Sequence, residues 1–236
     1  HPIRGAYLFH LRERTLDEPA GSVASGTPLS AILLRALGAT LAIGGLVWVF
    51  ACSFLDRRPR TRWVPVLVGT VVGVVGSVVA VGDTWSDSLD VVLATTSGRV
   101  GLIATGVAAL GLVASWIPRA GQVELALAAA TTVAVAAGGH AVSLPPVARS
   151  AGLTVAHVLA AVAWATALLW LERRSRTADP EQLRSAVVGL SPWGIGAVAV
   201  VAVSGSVLVV DRVSLGELLD ATYGRLALVK VALLVV

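Results

Sequence analysis

Residues 31–55 read AILLRALGATLAIGGLVWVFACSFL, and residues 56–62 that follow read DRRPRTR. The first stretch carries a single charge, Arg35, and exceeds the about 20 apolar residues that one crossing of a bilayer core requires. The second places Arg57, Arg58, Arg60 and Arg62 immediately after it. An apolar helix that ends abruptly in arginine is the signature of a membrane span leaving the bilayer on its cytoplasmic side.

The rest of the chain repeats this pattern. Further apolar runs cover Trp63–Val81, Val100–Ile117, Val123–Val142, Leu153–Leu171 and Trp193–Val210, and a seventh begins near Tyr223 and is cut by the end of the chain. Valine is abundant and would suit strands in water, but an unclosed strand in lipid leaves its backbone unpaired, so the run lengths predict helices. Composition agrees: 56% of residues are hydrophobic and only 14% charged, with a mean hydropathy of +0.84. A soluble domain carries about a quarter charged residues, which excludes a soluble enzyme, a disordered chain or a coiled coil.

Charge is sorted by loop. Arg57–Arg62, Arg119, and Arg173, Arg174, Arg176 and Arg184 alternate with loops holding Asp83, Asp87 and Asp90, then Asp211, Glu217 and Asp220. The arginine side is expected to be cytoplasmic and the N-terminus outside. On this topology Trp63, Trp116, Trp170 and Trp193 fall at the cytoplasmic interface, as an aromatic belt. The net charge of +4 is then an orientation signal and implies no nucleic acid.

Two segments look alike. Thr96-Ser97-Gly98-Arg99 parallels Thr222-Tyr223-Gly224-Arg225, Val75-Gly76-Ser77 parallels Ser204-Gly205-Ser206, and Leu55-Asp56-Arg57-Arg58 parallels Leu171-Glu172-Arg173-Arg174, a register that pairs Trp48 with Trp164. Residues 31–117 and 153–236 therefore read as a parallel repeat joined by a helix over 123–142. Gly69 and Gly73 form a G-x-x-x-G step, a helix-packing signal.

Candidate chemistry is sparse. His140 and His157 lie near the outer ends of adjacent spans joined by a short loop with Pro145-Pro146. Imidazole at matched depth on neighbouring helices suits a copper, zinc, nickel or iron site; an interhelical hydrogen bond is the plainer reading. The acidic outer loops would concentrate cations there. Lys230, about 10 Å into the seventh span at 1.5 Å per residue, either pairs within the bundle or snorkels to the surface. Arg35 is expected at the outer interface. Nucleotide-binding loops, zinc-protease motifs and a serine elbow are all missing, so neither an ATP-driven pump nor a hydrolase is indicated, and the protein is read as a non-enzyme.

The segments Gly138-Gly139-His140-Ala141, Ala156-His157-Val158-Leu159-Ala160-Ala161-Val162-Ala163-Trp164 and Ala221-Thr222-Tyr223-Gly224-Arg225-Leu226-Ala227-Leu228-Val229-Lys230 resemble the bacterial copper-resistance protein D (CopD) family. The likeness extends from Ala31 onward. His1-Pro2-Ile3-Arg4-Gly5-Ala6-Tyr7-Leu8-Phe9-His10-Leu11 is similar to the last strand of a copper-resistance protein C (CopC) domain, with Tyr7, Phe9 and Leu11 alternating as in a strand.

The resemblance implies the following organisation. Residues 1–12 are the remnant of a periplasmic CopC-like β-domain acting in cis, 13–30 a linker, and 31–236 a transmembrane domain. The expected fold class is an all-α bundle of about seven helices preceded by a β-strand, in a chain truncated at both ends. The resemblance also implies copper-ion transport across the cytoplasmic membrane, directed inward, with His1, His140 and His157 as metal residues and Tyr223, Arg225, Lys230 and Trp164 as polar groups along the path. With no methionine in the chain, copper would meet imidazole and oxygen, with Cys52 the one sulfur. Two other readings are a b-type haem protein, using histidines as axial ligands, and a membrane anchor that only positions the copper-binding domain.

Overall fold

The computed structural model describes residues 29–54, 59–81, 90, 92–138 and 147–211. Among them run helices α1 (Leu29–Ser53), α2 (Val64–Val81, preceded by a 3-10 turn over Arg60–Trp63), α3 (Thr96–Ala114), α4 (Gly121–Ala137), α5 (Val147–Ser175) and α6 (Pro180–Val210). All but α4 are long and apolar enough to cross a membrane, and α4 is an apolar helix of 17 residues. Large apolar side chains lie exposed along the helices, among them Leu33 and Leu37 on α1, Ile103 and Val113 on α3, and Ile195 and Val203 on α6. Exposure on that scale is unfavourable in water and natural in lipid. The protein is a multi-pass, all-α membrane protein embedded in a lipid bilayer.

Two expectations about the elements need correction. The fold class included a β-strand, but the described residues contain no strand. A single strand needs a neighbour to bond its backbone, and every described segment instead bonds within itself as helix. The residues expected to form the strand (1–12), most of the linker and the seventh span lie outside the described residues.

The second correction concerns length. Hydropathy started the sixth span at Trp193, whereas α6 begins at Pro180, with Asp179 Oδ1 accepting from the Gln182 amide at 2.9 Å. Asp at the N-cap with Pro at the first helical position is a strong start signal. The helix then runs through Pro192. Likewise α5 begins at Val147, where Leu153 was expected.

α1 is central and packs on α2, α4 and α5; α5 packs on α6, and α3 on α2 and α4. The α1–α2 contact is as close as backbones allow. A Cβ on Gly38 would lie 2.5 Å from the Gly73 nitrogen, and one on Gly69 would lie 2.3 Å from the Ala42 nitrogen. The G-x-x-x-G step thus has a glycine partner, Gly38, on the opposing helix. Without a hydrophobic force between helices in lipid, this close approach supplies the dispersion contact that holds them. The core joins Leu46 and Val49 of α1, Trp63 and Val66, Ala108 of α3 and Ala128 of α4.

Candidate functional site

The clearest polar contact inside the bundle joins α5 to α6. His157 Nδ1 lies 3.0 Å from Ser204 Oγ. Ser204 is buried and its hydroxyl donates to the Val200 carbonyl one turn back. The Ser204 hydroxyl thus links the imidazole of α5 to the backbone of α6. The next residue makes room: a Cβ on Gly205 would stand 3.1 Å from His157 Cε1.

An ion pair gives a reference point on both helices. Arg149 and Asp211 meet at 3.2 Å where α5 begins and α6 ends. His157 is eight residues beyond Arg149, and Ser204 seven before Asp211. At 1.5 Å per residue the two side chains lie about 10–12 Å along their helices from the ion pair. His157 lies some three turns into its helix because α5 starts at Val147, earlier than hydropathy indicated.

Of the other expected site residues, Trp164 lies two turns further along α5 on the same face as His157 and is half-buried. Trp48, its counterpart by repeat register, is covered by the Arg173 guanidinium at 4.3 Å from the ring centre. His1, His140, Tyr223, Arg225 and Lys230 lie outside the described residues. The first copy of the Thr-x-Gly-Arg motif is described, and there it builds a helix start. Thr95 caps Gly98 N at 3.1 Å, and Arg99 Nε donates to the Leu93 carbonyl at 2.6 Å. A Cβ on Gly98 would be 2.0 Å from the Val92 oxygen, so only glycine admits the fold-back. Arg35 is exposed.

A second polar cluster, at the arginine-rich end, was not legible as a site. Arg62, Glu124 and Trp63 are all buried. Glu124 takes a charge-assisted bond from Arg62 Nη2 and another from Trp63 Nε1 at 3.2 Å. Arg62 Nη1 also donates to the Pro59 carbonyl at 2.8 Å. Trp63 therefore departs from the expected aromatic belt: its ring lies in the core against Gly111, where an added Cβ would come within 2.5 Å of it. Trp116 and Trp193 are exposed, as a belt requires. Arg60 and Arg174 stack over Trp116 and Trp170.

Among the described residues no group of three or more His, Cys, Asp and Glu side chains stands ready to hold a metal ion. The described part of the candidate site is therefore one imidazole hydrogen-bonded to Ser204. No family model, no curated protein and no solved structure matches this chain.

Proposed function

We propose that this protein carries copper ions inward across the cytoplasmic membrane and so contributes to copper homeostasis, as the CopD resemblance implies. The arginine-rich end faces the cytoplasm and the N-terminus lies outside, where a CopC-like domain acts in cis. The single observation that carries the reading is the His157–Ser204 contact between two membrane-length helices. A polar ring within a membrane span is costly and rarely retained without a task. The hydrogen bond to Ser204 orients the His157 ring, and an imidazole oriented by such a partner is a good ligand for copper.

His157 would take the ion as a ligand, with His140 and His1 contributing from outside, and Trp164, Tyr223, Arg225 and Lys230 lining the path. Ser204 acts through His157 and is a positioning residue. Copper here is cargo, and Cys52 is the one sulfur in the chain.

The test is copper accumulation in cells carrying the full-length protein. His157→Ala and His140→Ala are each expected to reduce accumulation to the level of cells without the protein. Ser204→Ala is expected to weaken copper binding by about tenfold, as loss of an orienting partner does. Wild-type accumulation in both histidine variants refutes the assignment.

A further inference from the structure

We propose that the arginine-rich end of α5, together with Phe54 at the end of α1, forms a binding site for the headgroup of an anionic phospholipid. A cavity of about 480 Å³ opens there, lined by Phe54 from the end of α1 and by Trp170, Arg173, Arg174 and Arg176 from the end of α5 and just beyond. Its size falls within the about 300–1,000 Å³ typical of small-molecule sites.

The charge is arranged for an anion. Arg176 is tied to Glu172, with Nε donating at 2.9 Å. Among the described lining residues, three guanidiniums against one carboxylate leave a net charge of two positive units. Arg173 is stacked on Trp48 at 4.3 Å and Arg174 on Trp170 at 5.4 Å. Stacking engages the face of a guanidinium and leaves its in-plane N–H donors for other partners, the geometry that recognises phosphate by paired bonds.

The apolar components select a lipid over a soluble anion. Phe54 is 66% exposed and lies, with Trp170, where two membrane helices reach the interface. A diacyl lipid places its phosphate level with the arginines and its glycerol and first methylenes against these rings. Basic pockets between helices at a membrane surface recognise anionic headgroups in this way. Inorganic phosphate satisfies only the charged half of such a site.

The experiment uses the full-length protein purified in mild detergent and analysed by native mass spectrometry with phosphatidylglycerol and phosphatidylcholine of identical chains. Phosphatidylglycerol should be retained about tenfold more strongly by the wild type, as two net charges at the surface allow. Arg173→Gln with Arg174→Gln should bring that ratio to about one, while Arg60→Gln with Arg119→Gln, at the neighbouring basic cavity, should leave it unchanged. A second measurement needs no variant: phosphatidylglycerol with brominated chains should quench tryptophan fluorescence more than brominated phosphatidylcholine does.

Equal retention of the two lipids, equal quenching by them, or an unaltered ratio in the Arg173/Arg174 variant overturns the proposal. Displacement of phosphatidylglycerol by millimolar inorganic phosphate overturns it in favour of a free-anion site.

Discussion

Glu124→Ala should be among the most damaging single substitutions in the bundle. Glu124 and Arg62 are each only 4% exposed, and the carboxylate is the partner of both the Arg62 guanidinium and the Trp63 indole. Removing the carboxylate leaves Arg62 charged and buried, with the Pro59 carbonyl as its remaining protein partner among the described residues. Breaking a buried pair from one side costs about 3–5 kcal/mol. The lost indole bond to a charged acceptor adds about 1.5 kcal/mol or more.

Together these predict a loss of about 4.5–6.5 kcal/mol, enough to unfold many domains of ordinary stability. The double variant Arg62→Met with Glu124→Met removes both charges and fills similar volume, so it should recover most of that loss. The assay is a double-mutant cycle by detergent-unfolding titration in mixed micelles, following helical circular dichroism. A cost below about 1 kcal/mol for Glu124→Ala, or a double variant no better than the single one, refutes the buried-charge argument.

Three further outcomes follow from the packing. Gly38→Ala and Gly69→Ala should each cost about 3 kcal/mol or more, since the new methyl meets backbone that cannot turn aside; Gly73→Ala should stay within about 1 kcal/mol of wild type because nothing lies within 4 Å of its added Cβ. Thermal melts of the three variants check this, and equal losses at Gly69 and Gly73 would contradict it. Gly111→Ala, which drives a methyl into the Trp63 ring, should cost about 1–3 kcal/mol and shift tryptophan fluorescence, whereas an unchanged spectrum and melting point would place Trp63 elsewhere. Arg149→Ala should cost less than about 1 kcal/mol in the same unfolding titration, because its pair with Asp211 is largely exposed, and a greater loss would mean that the pair is desolvated.

The apolar runs were legible in the sequence because each helix in lipid must be apolar along its length, and the turnover from Leu55 to Arg57 marks its end. The helix limits were less so. Hydropathy registers where lipid stops, while backbone hydrogen bonding continues into water, so α6 carries thirteen more residues than its apolar run. The Asp179-Pro180 start was available as a local signal. Gly205 stands opposite Gly76 in the repeat and Ser204 opposite Val75, and no local pattern brings either to His157.

The amino-acid sequence by itself determined that the chain resides in a membrane, that it crosses many times, and that arginine collects at one end. Those properties are sums over residues and need no knowledge of neighbours. Only the tertiary structure decided which polar groups meet. Trp63 sits beside an arginine-rich loop and reads as interfacial, yet the arrival of Glu124 on α4 and Gly111 on α3 makes it core. The G-x-x-x-G step reads as two equivalent glycines, yet only Gly69 presents its Cβ position to the opposing backbone. Contact between residues distant in sequence depends on the rotation of each helix about its axis, and that rotation is set by the packing of the whole bundle.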